Sequence, residues 1–397
     1  MNFQKDYDVI VAGGGIAGVA AALAASARGS KTALIEKTVY PGGLATTGLV
    51  YIYLPLCDGY GTQVTFGLTE KLLIASLKYG PGDIPENWKK ENNAIEEKRY
   101  RIVFNPASFI LAMDELLEES GVDVWYDTTV TRTFTENNLA TGIEVFNKSG
   151  FGKLNAKVLI DATGDADLAH YAGLQCPTRD NALAAWTLEH VANEPGQRDL
   201  AENVKMRIVG CSNDKRTGEF LGIDGAKVSR FIRKGRKKYR ELLAESYESG
   251  RNNRKDRFPL FLPAMAQFRM SRRIDGEFTL NDGMEWMSFE DSIGMVADWR
   301  KSGYVWEIPY RSLLPRGLDN LLAVGRCMSS EGDAWDVTRV IPTAAMTGEA
   351  AGVAAAMTVE KRTTTHQLSV KELQQQLSSK CGFPLHFEDV GTSRPEK

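Results

Sequence analysis

Tyr7 to Glu36 reads YDVIVAGGGIAGVAAALAASARGSKTALIE. The run Val9-Ile10-Val11-Ala12 is short and wholly apolar, as in a parallel strand buried on both faces. Three glycines follow at the spacing Gly13-x-Gly15-x-x-Gly18, and an alanine-rich segment of strong helix propensity continues to Ala27. Arg28-Gly29-Ser30 breaks that helix, and Thr32 to Ile35 is a second apolar strand ending at Glu36. In such a strand–helix–strand unit the first glycine permits a tight turn. The second lets backbone approach a pyrophosphate, and the third lets the helix lie close on the strand. The helix N-terminus offers unpaired N–H groups and a positive dipole end to phosphates. Glu36, 18 residues beyond Gly18, sets a carboxylate where ribose hydroxyls can donate to it. Glycine-rich turns are common, but here strand, helix and acidic strand end agree, so a bound dinucleotide is the better reading. NAD and FAD both satisfy it at this stage.

The 397 residues exceed one simple core and suggest two domains, at roughly 100–200 residues each. A net charge of −3 makes no electrostatic case for nucleic acid or an anionic membrane. The local basic run from Lys234 to Glu241 reads as a solvated helix face. The first strand begins almost at once, so no secretory leader is expected, and no apolar run nears the ~20 residues that span a bilayer. Five scattered cysteines show no metal or redox spacing, which points to reduced thiols in a cytoplasmic protein without a metal.

Beyond Glu36, the loop Tyr40-Pro41-Gly42-Gly43-Leu44-Ala45-Thr46-Thr47-Gly48 leaves the carboxyl edge of the second strand, where open α/β sheets bind ligands. Residues 60–100 are poorly periodic and read as a partly helical excursion. Asn105-Pro106 starts a helix with Phe109, Ile110, Met113, Leu116 and Leu117 on one stripe, ending at Ser120-Gly121. Val122 to Phe134, Ala140 to Phe146 and Gly152 to Ile160 predict an antiparallel meander. Its last strand enters the turn Asp161-Ala162-Thr163-Gly164-Asp165. Residues 176–310 change character, with charged helical sequence from Ala226 to Ser249 and most of the tryptophans, and read as an inserted domain. A further buried strand ends in Gly325-Arg326, an Ala/Gly-rich helix runs from Pro342 to Met357, and Ser369-x-x-Glu372 opens a last helix. The expected architecture is α/β. A Rossmann-like domain with a parallel sheet and β-meander spans 1–175 and 311–360, an α+β substrate domain is inserted at 176–310, and a helical tail covers 361–397.

Together these motifs resemble the FAD-dependent oxidoreductases of the glutathione-reductase-type fold, in the branch of fumarate reductases and hydroxylases. The likeness is closer to a bacterial subgroup known only as FAD-dependent oxidoreductases. It rests on Gly42-Gly43-Leu44-Ala45-Thr46, Ala162 to Asp167, Arg272-Arg273-Ile274-Asp275-Gly276, Ile308 to Leu313, and Leu321 to Ala355. The resemblance implies non-covalent FAD, with Gly13, Gly15, Ile16, Ala17 and Gly18 at the pyrophosphate and Glu36 and Lys37 at the adenosine ribose. Val130 would meet adenine, and Ala162, Thr163, Gly164 and Asp165 would pack near the adenylate half. Gly42, Gly43, Ala45 and Thr46 would lie along the isoalloxazine. Gly325, Arg326 and the helix start Pro342-Thr343-Ala344-Ala345 would hold the ribityl chain and pyrimidine edge. A second glycine unit for NAD(P)H and the CxxxxC pair of disulfide reductases are both absent from the sequence. Cys57 and Cys327 are the candidates for covalent attachment, and neither is favoured.

Since the isoalloxazine performs the redox step, the protein must supply orientation, a proton donor or acceptor, and charge compensation. The candidates are Arg339, Glu331, Asp333 and His190. Arg269, Arg272 and Arg273 could fork a substrate carboxylate, or Arg272 and Arg273 could pair with the acidic region Glu285 to Asp291. The leading expectation is hydride transfer between flavin N5 and a small polar substrate. A hydroxylase-type monooxygenase, echoed by Gly164-Asp165-Ala166, and an electron-transfer subunit without its own substrate are the alternatives. The electron acceptor and the oligomeric state stay open.

Overall fold

The computed structural model describes residues 2–83, 101–180, 184–192, 199–210, 220–392 and 394. The charged part of the 60–100 excursion falls at 84–100, outside the described residues. Strand β1 (Phe3–Ala12), helix α1 (Ile16–Ala27) and β2 (Thr32–Ile35) form the expected unit, with β1 and β2 parallel. Val9 and Val11 pack into one apolar core with α1, while Ile10 and Ala12 pack into a second core across the sheet. That alternation is why the run is apolar at every position.

The chain then passes β3 (Ile52–Tyr53), α2 (Leu68–Leu77) and β4 (Ile102–Val103), which pairs with β3. Helix α3 (Pro106–Ser120) starts as expected, the Asn105 side chain accepting from Ala107 N and Gly121 closing it in the left-handed region. The run Val122 to Phe134 is two strands. β5 (Asp123–Trp125) joins β2 in parallel, and β6 (Thr129–Glu136) opens the meander, because Asp127 at φ 48° turns the chain between them. β7 (Leu139–Asn147) and β8 (Gly150–Asp161) complete it. Short α4 (Asp167–Tyr171) follows the second glycine turn.

An antiparallel sheet of order β10-β11-β9-β12 comes next, from β9 (Ala184–Val191), β10 (Asp199–Ala201), β11 (Val204–Gly210) and β12 (Arg257–Phe261). Helix α5 (Gly225–Glu248) connects β11 to β12, its start capped by the Asp224 side chain. The hairpin of β13 (Ser292–Ala297) and β14 (Val305–Pro309) lies elsewhere. Its Ile293, Val296, Trp306 and Ile308 share the core of α1 and α3. The stretch 176–310 therefore holds one separate sheet and one hairpin that packs with the nucleotide-binding body.

β15 (Leu321–Ala323) returns to the main sheet in parallel with the end of β8, giving seven strands in all. Then come α6 (Gly332–Thr338), α7 (Ile341–Lys361) and α8 (Val370–Cys381), where the Ser369 side chain accepts from Glu372 N. The Ala/Gly-rich α7 packs closely against α1. A Cβ on Gly348 would stand 2.1 Å from Ala17 O, and one on Gly352 2.3 Å from Ala21 O. Among the described residues, no single helix is long and apolar enough to cross a membrane.

Candidate cofactor and active site

The turn after β1 is held from both sides. Gly13 has φ 101°, donates its N–H to Ile35 O at 2.7 Å, and leaves no room for a Cβ, which would meet Ala162 O at 2.4 Å. Gly15 caps α1 in an extended conformation with nothing within 4 Å of where its Cβ would be. The loop Tyr40–Gly48 lies directly on this turn, Gly42 N donating to Gly14 O at 2.7 Å. Thr46 turns inward and donates to Pro41 O at 2.6 Å, so it braces the loop instead of facing outward.

These elements wall a cleft of about 290 Å³. Its walls come from Glu36 to Thr38, Thr128 to Val130, Asp167 and Tyr171, from Gly13, Gly15, Ile16, Ala17 and Ala162 to Gly164, and from Gly42 to Ala45, Met265, Val324, Arg326, Arg339, Ile341 and Ala344. Glu36 is buried, and its two carboxylate oxygens accept from Gly14 N and Thr38 N, each at 2.7 Å. Each oxygen keeps a further lone pair for a ligand hydroxyl.

Asp161, at the end of β8, sets the second turn. Its carboxylate accepts from Thr163 Oγ1 at 2.7 Å, Thr163 N at 3.1 Å, Leu168 N at 2.8 Å and Ala169 N at 3.2 Å. The sequence reading passed over this residue, although an acid at the end of an apolar strand was the available signal. Asp165 does not line the cleft. It pairs with Arg326 Nη2 at 3.0 Å, while Arg326 Nε donates to Gly164 O at 2.7 Å. Gly18, Gly325, Pro342, Thr343 and Ala345 are likewise absent from the walls and act as packing beneath them. A Cβ on Gly18 would overlap Gly13 O, one on Gly325 would press Ala17 Cβ at 3.0 Å, and Thr343 donates to Val337 O. Thr38, Thr128, Thr129, Tyr171 and Met265 are wall residues that no motif indicated, and Leu44 and Ile341 are wall residues inside the motifs that were not among the candidates.

Of the four candidates for chemistry, Arg339 lines the cleft. Its guanidinium pairs with Asp336 Oδ1 at 2.9 Å and 3.0 Å, and its charge centre stands 5.8 Å from the Trp299 ring centroid. Burial pushes its pKa down, against the pull of Asp336. The other three are engaged elsewhere. Glu331 accepts from Arg273 at 2.8 Å and Asn281 at 2.9 Å. Asp333 pairs with Arg300 at 3.1 Å and Lys301 at 3.4 Å, and the Arg300 guanidinium holds its carboxyl below the usual range. His190 stacks on Phe258 with centroids 4.6 Å apart, its Nδ1 3.2 Å from Asp256 O. Arg272 pairs with Asp167 at 2.7 Å, and Asp291 is taken by Arg311 at 2.9 Å, so the expected pairing of Arg272 and Arg273 with the 285–291 region is not made. Cys57 and Cys327 are buried outside the cleft, and burial raises both thiols well above their ordinary pKa.

A parallel sheet, a glycine turn at a helix N-terminus and an acid at the next strand end define a dinucleotide-binding flavoprotein of Rossmann type. The chain belongs to the FAD dependent oxidoreductase family, whose model matches residues 8–183 and 178–377. It is an enzyme, and FAD is its cofactor; the open face of Gly15 and the buried Glu36 carboxylate in the cleft wall fit that group. Among similar proteins, a digeranylgeranylglycerophospholipid reductase of Picrophilus torridus is 28% identical over 180 residues, 43% of each chain. The reductase of the same name from Thermoplasma acidophilum is 26% identical over 177 residues, again 43% of each. The matched stretch thus spans less than half the length of these relatives. In structure, CabE, an aromatic hydroxylase from angucycline biosynthesis, aligns with a TM-score of 0.50 at 14% identity, over 90% of this chain and 63% of that one. This likeness concerns the fold alone.

Proposed function

We propose that this enzyme is a dehydrogenase or reductase that moves a hydride between FAD and a small molecule held where Gly42 to Ala45, Arg326 and Arg339 line the cleft. The observation that carries the reading is the presence of two arginines in the wall. Arg326 and Arg339 line the cleft, each held by a carboxylate, Asp165 and Asp336, that does not line it. Such a wall compensates negative charge that develops at the cofactor or on an anionic substrate. The sequence likeness to the two reductases, over 43% of the chain, supports the same reading.

FAD, when bound, supplies the two-electron chemistry at N5. The chain's own residues do the rest. Backbone N–H groups at Gly15 and Ile16 would face the pyrophosphate at the start of α1. Glu36 would accept from the adenosine ribose, with Lys37 and Val130 beside it. The apolar wall residues Leu44, Met265, Val324, Ile341 and Ala344 would exclude water from the reacting atoms. Arg339, oriented by Asp336 and Trp299, holds positive charge there.

Anaerobic stopped-flow mixing of the oxidised enzyme with candidate alcohols, amines and acids, and of the photoreduced enzyme with unsaturated acceptors, tests this. Bleaching or recovery of the flavin band with a primary deuterium effect is the expected result. Product carrying an oxygen atom from O2 would overturn it in favour of a monooxygenase.

A further inference from the structure

Arg339 stands at the end of a row of alternating charges that begins outside the cleft. The turn between β13 and β14, residues 298–304, brings Trp299 and Arg300 against α6. Trp299 Nε1 donates to Asp336 O at 2.9 Å, and the same indole ring faces the Arg339 guanidinium. Arg300 donates from Nε and Nη2 to the two oxygens of Asp298 at 3.1 Å and 2.9 Å. Its Nη1 stands 3.1 Å from Asp333 Oδ1 and 3.7 Å from Asp336 Oδ2. Asp336 Oδ1 accepts both N–H groups of Arg339. One carboxylate is therefore divided between two guanidiniums, an oxygen to each. Arg339 lines the cleft, whereas Arg300, Asp333 and Asp336 do not.

The turn itself is braced. Asp298 N donates to Tyr304 O at 2.8 Å, and Arg300 N donates to Asp298 Oδ1 at 2.9 Å. Gly303 N donates to Asp58 O at 2.7 Å, and Gly303 O accepts from Trp286 Nε1 at 3.0 Å. The Asp298 carboxylate is buried, and Arg300, Asp336 and Arg339 are each exposed by no more than a quarter. Charges so placed act on one another more strongly than pairs in open water.

Arg300 has two effects on Arg339, and both have the same sign. Its own charge adds to the positive potential there, and its hold on Asp336 leaves that carboxylate less able to neutralise Arg339. The pKa of Arg339 answers accordingly: burial lowers it, Asp336 pulls it up, and the charges of Arg326 and Arg300 lower it further. Asp333 works against Arg300, since it draws the same Nη1 that faces Asp336. Positive charge beside a flavin favours its reduced, more negative form.

We propose that Arg300 is a positioning residue of the cofactor site, which acts through Asp336 on Arg339 to raise the reduction potential of the bound flavin, and that Asp333 opposes it. This deepens the proposed function and rests on the reading that the reacting part of FAD lies beside Arg339.

Equilibrium reduction of the FAD-loaded protein by xanthine and xanthine oxidase, beside a reference dye, tests the proposal without turnover of a substrate. At a fixed dye ratio, Arg300→Gln should lower the ratio of reduced to oxidised flavin by roughly threefold or more, with FAD occupancy full. Asp333→Asn should raise that ratio, and Arg300→Lys, which keeps the charge, should recover part of the loss. A general loosening of the turn would move Arg300→Gln and Asp333→Asn the same way. Shifts of the same sign in those two variants, no shift in Arg300→Gln, or no recovery in Arg300→Lys would overturn the proposal. If Arg300→Gln does not fold or does not hold FAD, Asp333→Asn decides: a raised ratio supports the proposal, and an unchanged or lowered one overturns it. Arg339→Gln in the same measurement separates this proposal from the reading beneath it. A lowered ratio in Arg339→Gln with none in Arg300→Gln overturns the role of Arg300 alone. No change in either overturns both, and a lowered ratio in Arg300→Gln alone overturns the route through Arg339.

Discussion

Arg326 and Asp165, 161 residues apart in the chain, form an ion pair at 3.0 Å that joins the two halves of the cofactor site. Asp165 ends the turn after β8, and Arg326 follows β15, the strand paired with β8. Arg326 also donates to Gly164 O and Phe268 O, so one guanidinium fixes the second glycine turn and the start of the Arg269 segment. Both residues are partly buried, and removing one charge leaves the other short of a partner. Asp165→Asn and Arg326→Gln should each lower FAD affinity. In the double variant the losses should fall short of additive by about 0.5–3 kcal/mol. Titration of the parent and the three variant apoproteins with FAD measures this coupling; strict additivity would make the pair incidental.

Glu36 is held by Gly14 N and Thr38 N in the wall of the cleft. Glu36→Ala should raise the FAD dissociation constant by roughly tenfold or more, since hydrogen bonds to a charged group contribute about 1.5–3 kcal/mol. Glu36→Gln should lose less, because the amide oxygen still accepts. An unchanged affinity in Glu36→Ala, with the same thermal midpoint, would remove Glu36 from the ribose site.

On the proposed reading, Arg339, which lines the cleft, answers charge that appears during the reaction. Arg339→Lys should slow flavin reduction by about 2–4 kcal/mol of barrier, by analogy with lost oxyanion donors. FAD occupancy should change little, because Asp336 and Trp299 hold the side chain from outside the cofactor walls. Full occupancy with unchanged reduction kinetics would leave Arg339 a structural role.

Gly348 admits the backbone of α1 at Ala17 O. Gly348→Val must push the two helices apart, and overpacking of this kind costs about 1–3 kcal/mol or more. Thermal unfolding of the FAD-free protein should show the loss, and a weaker hold on FAD should accompany it, because Ala17 lines the cleft.

Glu349 predicts a pH dependence. It is buried on α7, accepts from Leu68 N at 2.6 Å, and burial raises its pKa to about 7. Between about pH 4.5 and 7 the folded chain therefore keeps a proton that the unfolded chain releases. Stability from this group is full below that window and is lost as pH rises through 7, by at most about 3 kcal/mol. Glu349→Gln keeps an acceptor for Leu68 N without a charge. Its stability between pH 5 and 8, followed by denaturant melts, should be flatter than that of the parent protein.

The first strand–helix–strand unit was legible in the sequence because its constraints are local. A buried strand must be apolar throughout, a tight turn needs Gly13, and a helix start needs a cap, all within a few residues of one another. The same holds for Asn105-Pro106, Gly121 and Ser369. Cleft residues carried by those motifs, from Gly13 to Ala45 and again at Ala162 to Gly164, were legible for that reason. Tertiary structure alone decided the rest. Glu331, Asp333 and His190 are polar residues near a motif in sequence, but their partners Arg273, Arg300 and Phe258 come from other elements and draw them away from the cleft. Thr128 and Tyr171 reach the cleft because Asp127 turns the chain and Asp161 seats α4, which no spacing reveals. Periodicity reports which face of an element is buried; which side chain meets which depends on strand order and helix packing, set by contacts hundreds of residues apart.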